Sequence, residues 1–253
     1  MSQKESMSVR KRYCTLDEIR GITLLSMIVY HGMWDYIYLF GHNCLWYNGV
    51  VGYIWQQSIC WTFIFLSGFC WQLGKKQLKR GLTILGAGGI ITVVTIIVMP
   101  ESKVVYGVLN LIGMSVIIMI IFDKLCKRID SKIGFVVSII LFIMFRNINY
   151  GYLGFENFNI VKFPDWLYAN YFSTLIGFTH KEFWSTDYFS IIPWFFLFVS
   201  GYFGYKIVNQ EGKMDLFKNS YLPLIGVIGR NSLLIYMLHQ PIIYVVLWSV
   251  NLL

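Results

Sequence analysis

The chain has 253 residues, of which 57% are hydrophobic and only 13% charged. A water-soluble domain carries about 25% charged residues, so most of this chain has no water to face, and a soluble two-domain protein is excluded. The net charge is +8, and the placement of the basic residues says more than their number.

Apolar runs of about 20 residues recur along the whole length, as spanning helices require. An outer-membrane barrel would instead show alternating segments of about 10 residues, and none are present. The reading is therefore an all-α polytopic transmembrane helix bundle of about seven spans. A polar tail covers residues 1–12, and a single transmembrane domain covers 13–253. Spans are expected at 16–40, 51–72, 82–99, 105–123, 133–146, 188–206 and 224–250.

The loops between these spans alternate in charge. Lys4, Arg10, Lys11 and Arg12 precede the first span, and Lys75, Lys76, Lys79 and Arg80 follow the second. Lys124, Lys127, Arg128 and Lys132 follow the fourth, and Lys206, Lys213 and Lys218 the sixth. The opposite side holds only Lys103, Arg146, Lys162 and Lys181. Basic loops stay in the cytoplasm, so the N-terminus is expected inside and the protein in the plasma membrane as a multi-pass chain. The first apolar stretch opens on Asp17, Glu18 and Arg20 without a small-residue cleavage site, so it reads as a retained anchor rather than a signal peptide. The 5 cysteines form no disulfide framework, because only Cys44 falls outside the membrane and the cytoplasm.

In the third span Gly81, Gly86, Gly88 and Gly89 let helices approach closely. The longest loop, 147–187, lies outside and is rich in aromatics, including Tyr150, Phe163, Trp166, Tyr171 and Trp184. A loop of this length is seldom without structure. A helix lying in the membrane interface is expected near 165–179, and a lid or platform stacking on a sugar ring is compatible with it.

Ionisable groups inside a membrane are costly and need a reason. At about 100° per residue, Asp17, Arg20, His31 and Asp35 fall on one face of span one. His31 and Asp35 are one turn apart, close enough to hydrogen-bond. In the last span Ser232, Tyr236 and His239 share a face with Gln240 beside it, after Arg230 and Asn231. Pro241 then interrupts the helix and frees a carbonyl. Gln56, Gln57 and Ser58 in span two, and Tyr106 and Asn110 at span four, complete a set that would line a polar cavity. His42, in Phe40–Trp46 after span one, is by itself an ordinary loop histidine. No CxxC, HExxH, Walker or GxSxG pattern is present, so neither metal nor nucleic acid is expected.

Several segments carry a family resemblance. Arg12 to Asp35 reads RYCTLDEIRGITLLSMIVYHGMWD. Phe63–Gly68 is Phe-rich and ends on Gly, and Gly107–Gly113 reads GVLNLIG. Asp187-Tyr188-Phe189 precedes Pro193-Trp194, Gly201 and Gly204, and Ile228 to Pro241 reads IGRNSLLIYMLHQP. In order and spacing these resemble the catalytic domain of the heparan-α-glucosaminide N-acetyltransferase family, as a short bacterial-type member. The resemblance implies acetyl transfer from cytoplasmic acetyl-CoA to an amino sugar or other envelope glycan on the external side. It lifts His42 to leading catalytic candidate, because the family's histidine lies some way past the Arg-Gly pair after span one.

The candidate catalytic residues are then His42, His31, Asp35 and His239. The candidates for holding acetyl-CoA are Asp17, Arg20, Asn110, Arg230, Asn231, Ser232 and Tyr236, with Lys75 a further phosphate contact. The expected partners are the glycan acceptor, acetyl-CoA, the lipid bilayer and a second copy of the chain as a homodimer. Two competing readings stand beside this one. A transporter or flippase of a polar or lipid-linked solute would show inverted repeats, and the sequence has no convincing internal symmetry. A non-catalytic scaffold would leave the intramembrane charges without a purpose.

Overall fold

The structure, a computed structural model, describes residues 12–251. The tail charges Lys4, Arg10 and Lys11 lie outside the described residues. The described residues are 70% helical with 4% strand, as expected of an all-α membrane protein. In chain order the elements are α1 (Cys14–Tyr38), α2 (Val50–Phe69), α3 (Gln77–Val98), α4 (Val108–Cys126), α5 (Ser131–Met144), β1 (Tyr152–Phe155), β2 (Phe158–Lys162), α6 (Tyr171–Ile176), α7 (Ile191–Gln210), α8 (Pro223–Arg230) and α9 (Ser232–Asn251).

Among the described residues 5 helical stretches are long and apolar enough to cross a membrane: Gln77–Val98, Val108–Cys126, Ser131–Tyr150, Ile191–Gln210 and Ser232–Val250. The expected count of about seven therefore rests on α1 and α2. They have the length, at 25 and 20 residues, but carry more polar side chains.

The chain divides into two compact units, one of residues 44–210 and one built from residues up to 43 together with those from 211 onward. In the first, α7 is the hub and packs against α2, α4 and α5. Ile64, Val116, Met119, Phe142, Phe198 and Tyr202 fill the core between them. Close approach is set by small residues: a Cβ on Gly68 would overlap the Phe198 carbonyl oxygen, and one on Gly201 would overlap that of Phe65. The α3–α4 pair works the same way at Gly81, against Ile117 and Gly113, and at Gly88, against the Asn110 side chain. Gly86 and Gly89 face open space, so the packing expectation holds for half of that glycine set. Polar ties at one end complete the unit: Tyr202 Oη donates to Asp123 Oδ1 at 2.8 Å and Lys206 Nζ to the Cys126 carbonyl at 3.0 Å.

The segment 147–187 is ordered, but the interface helix expected at 165–179 does not form. The antiparallel β1–β2 hairpin comes first, and the 165–179 stretch holds a 3-10 turn at Asp165–Tyr168 and the short α6 instead of one continuous helix. The local reason is punctuation. Pro164 precedes the turn, Asn170 starts α6 by accepting the Phe172 amide at 2.9 Å, and Gly177, at φ 144°, ends it. Asn147 fastens the hairpin, donating to the Glu156 carbonyl at 2.7 Å and to Asn159 Oδ1 at 2.8 Å. Arg146 donates to Gln57 Oε1 at 3.0 Å, approaches Glu156 at 3.7 Å and lies 4.8 Å over the Trp194 ring.

A second tie joins the segment before α7 to the start of α4. Ser185 Oγ accepts the Val105 amide at 2.9 Å, and Asp187 Oδ2 accepts the Val108 amide at 3.2 Å. Asp187 thus caps α4 from far away in sequence. Burial holds its carboxyl up at about 6, against an ordinary 3.8, with the Val108 amide pulling the other way.

In the second unit α1 packs against α8 and α9. The single span expected at 224–250 is divided at Asn231, whose backbone (φ −98°, ψ 19°) leaves the helical path. Asn231 Nδ2 donates to the Val227 carbonyl at 2.9 Å and so finishes α8 where the backbone ladder stops.

Candidate active site

The polar stripe read on α1 is real, and it runs along the side of the helix that meets α8 and α9. At its lower end Asp17 pairs with Arg12 at 2.9 Å and with Arg20 at 3.4 Å. Glu18, one residue on, is buried at 3% exposure. Its carboxylate accepts from Ser220 Oγ at 2.6 Å and from the Tyr221 amide at 3.0 and 3.1 Å. The helices touch closely here, because a Cβ on Gly229 would overlap the Asp17 carbonyl oxygen and one on Gly21 that of Ile225. Arg230 is exposed at the last turn of α8. Ser232 and Tyr236 follow on α9, half-buried.

Farther along, four candidates meet. The His31 and His239 rings stand edge to face with centroids 5.0 Å apart. Gln240 Nε2 donates to Asp35 Oδ1 at 2.7 Å, and Asp35 is fully buried. The His31–Asp35 hydrogen bond expected from their spacing is replaced by this cross-helix bond. Side chains one turn apart on α1 both project toward α9, and Gln240 arrives there with an amide of the right reach. The Tyr236 ring lies 5.2 Å from that of His239.

His239 Nδ1 sits at the Tyr236 carbonyl oxygen. A carbonyl can only accept, so Nδ1 carries the proton, and a neutral ring then has its lone pair on Nε2. That Nε2 is buried without a partner, as are Asp35 Oδ2 and Gln240 Oε1. A native fold pairs most buried polar atoms, so three orphans in one cluster mark a place where a polar ligand is to be received.

His42 lies past the end of α1, where its ring stacks on Tyr36 at 3.9 Å and 11° and its amide donates to the Tyr36 carbonyl at 3.3 Å. With a rise of about 1.5 Å per residue, Tyr36 is roughly 7 Å above His31 along the helix. The candidates thus fall into two tiers by their contacts, a lower one of His31, Asp35, His239 and Gln240 joined across α1 and α9, and an upper one of Tyr36 and His42 at the end of α1. Asn110 belongs to the other unit, on α4 against Gly88.

Sequence reading missed several members. Gln240 was placed beside the face rather than in it, since it sits about 100° from His239 on the wheel and α9's approach to α1 was unknown. Glu18 was read only as one of the charges that open the first apolar stretch. Among the described residues no group of three or more His, Cys, Asp or Glu is arranged to hold a metal ion, and none of the five cysteines forms a disulfide.

Comparison with curated proteins and with solved structures found no match. The family described as "Heparan-alpha-glucosaminide N-acetyltransferase, catalytic" matches residues 12–241, from the Arg12 segment that opens α1 to Pro241 of α9, and so takes in both tiers of the site. With that match covering most of its length, the chain belongs to the heparan-alpha-glucosaminide N-acetyltransferase catalytic family of membrane acetyltransferases acting on glycans.

Proposed function

We propose that this protein takes an acetyl group from cytoplasmic acetyl-CoA and delivers it to an amino sugar, or a hydroxyl of another envelope glycan, on the external face of the plasma membrane. The observation that carries the reading is the orphaned cluster on α1 and α9, where His239 Nε2 and Asp35 Oδ2 are buried without partners. Such groups are expensive in a membrane helix unless a substrate completes them. The count of 15 basic residues on one set of loops against 4 on the other supports a cytoplasmic N-terminus and about seven spans.

Acetyl-CoA, the donor substrate, supplies an activated thioester carbonyl and a polyanionic nucleotide end. Arg20 and Arg230 are placed to meet its phosphates at the cytoplasmic end, with Asp17 holding Arg20 in position. Asn231, Ser232 and Tyr236 lead along α9 toward the histidines and can hold the pantetheine arm. At the upper tier His42 takes the proton of the acceptor amine or hydroxyl as its nitrogen or oxygen attacks the carbonyl carbon. The new C–N or C–O bond forms, the C–S bond breaks, and CoA leaves as thiolate. His42 can also accept the acetyl group itself and pass it on. The unpartnered atoms of the lower tier are acceptors, so His31, His239 and Asp35 receive N–H or O–H groups of the bound substrates and help to orient them.

The test is transfer of radiolabelled acetyl from acetyl-CoA in sealed vesicles of known orientation, with glucosamine and an envelope glycan extract as acceptors. Wild type is expected to label sugar and His42→Ala to abolish it. Loss only in His31→Ala moves the active site to the lower tier. No transfer, together with no acetyl-CoA binding by folded protein, overturns the enzyme reading in favour of a transporter.

A further inference from the structure

Between α1 and α9 lies an apolar groove of about 460 Å³, lined by Val29, Met33 and Tyr36 from α1 and Ile242, Val246 and Leu247 from α9. Its volume falls within the range of about 300–1,000 Å³ typical of sites for a small ligand. Its walls stand open: Val29 is 57%, Ile242 58% and Val246 54% exposed. The floor is Gly32, where a Cβ would have only Ile243 within 4 Å, at 3.8 Å.

Two features distinguish this groove from ordinary lipid-facing surface. It follows the seam of a packed helix pair, α1 against α9, rather than the outward face of a single helix. It is also continuous with the site. Tyr36 forms part of the groove wall and stacks its ring on His42, and the floor residue Gly32 follows His31 directly in the chain. A chain lying in the groove reaches Tyr36, whose ring stacks on His42, and a molecule with a long hydrocarbon tail and a polar head bearing the accepting group suits both places. A water-soluble sugar would leave the groove empty.

Building on the acetyl transfer proposed above, we infer that the acceptor is lipid-linked: an amino or hydroxyl sugar whose hydrocarbon chain lies in the α1–α9 groove and whose head group is presented to His42. The groove then supplies binding and orientation while the histidine tiers supply chemistry. Interactions of the remote chain hold the accepting atom in position, so a tail lowers KM without changing the reaction.

The experiment compares hexadecyl and methyl glucosaminides as acceptors for the full chain in proteoliposomes, with a photoreactive diazirine in the hexadecyl chain for direct readout. Val29→Trp and Val246→Trp, singly and together, fill the groove without touching a histidine; Val94→Trp on α3 is the control. Wild type is expected to show a KM at least about tenfold lower for the hexadecyl compound, with crosslinks concentrated on α1 and α9 peptides. Each groove variant is expected to raise that KM and shed the crosslinks, while the methyl compound and Val94→Trp show no change. The inference is overturned if crosslinks spread evenly over α3 and α5, if the groove variants keep them, or if a phospholipid with the same photoreactive chain labels the groove equally well. Groove labelling without acetylation of either compound would sink the enzyme reading and leave the lipid-sugar site standing.

Discussion

Asp35 and Asp187 are both carboxylates set among apolar neighbours, and they illustrate what burial does to a charged side chain. Asp35 has one partner, Gln240, at 2.7 Å, and one oxygen with none. Replacing Gln240 by Leu strips the remaining bond and is expected to cost on the order of 1–3 kcal/mol. Gln240→Glu would add a second carboxyl beside the first and fare worse. Thermal unfolding in detergent, read by tryptophan fluorescence, measures the order wild type, Gln240→Leu, Gln240→Glu. For Asp187 the prediction concerns pH. Its carboxyl is raised to about 6 from 3.8, with burial the main cause. The folded state therefore holds a proton that the unfolded chain has already lost between those values. A raised carboxyl contributes most at low pH, and its contribution falls as pH rises through that window. Asp187→Asn keeps an oxygen for the Val108 amide and carries no charge. It is expected to match wild type near pH 4 and to exceed it by on the order of 1–3 kcal/mol above pH 6. A constant difference across the same pH series would refute the assignment.

Helices were the most legible part of the sequence, because a membrane span is written in about 20 residues at once and no single residue decides it. α3, α4 and α7 fall within a few residues of where the apolar runs place them. Two elements were not legible, for different reasons. The break at Asn231 separates α8 from α9 inside one apolar run, and hydrophobicity is blind to a local turn that an Asn side chain closes. The β1–β2 hairpin sits in a loop whose aromatics suggested an interfacial helix. Its strands are only 4 and 5 residues long, too short for alternation to stand out. Partners across elements were invisible too, as Glu18 with Ser220 and Asp187 with Val108 show. At this scale the glycines give a direct prediction. Gly229→Leu forces the side chain into the Asp17 carbonyl, and Gly68→Leu forces one into that of Phe198. Neither backbone can give way without parting the helices, so both are expected to lose most folded protein, read as monodisperse yield after detergent extraction. Gly86→Ala meets nothing within 4 Å and is expected to leave that yield intact.

At the scale of the whole molecule, the number of spans decides which face of the membrane each part of the site sees, and α1 decides the number. A helix of 25 residues can cross a bilayer, and its charged stripe is tolerable if it faces other helices rather than lipid. The contacts of Glu18, His31 and Asp35 with α9 and the chain before α8, and the pairing of Asp17 with Arg12 and Arg20, fulfil that condition. If α1 crosses, Cys14 at its start and Cys44 beyond its end lie on opposite faces, with Cys14 on the basic, cytoplasmic side. If α1 lies along the surface, the two cysteines share a face and His42 returns to the side of the acetyl donor. Single-cysteine chains retaining only Cys14 or only Cys44, treated with a membrane-impermeant maleimide in right-side-out vesicles, separate the cases. Label on Cys44 before permeabilisation and on Cys14 only after it is the expected result. It would put His42 on the outer face, across the membrane from the basic loops that would attract acetyl-CoA. Label on both at once, or on neither until permeabilisation, would mean that α1 does not cross. Donor and acceptor would then have to meet on one side, and the transfer could not be a transmembrane one.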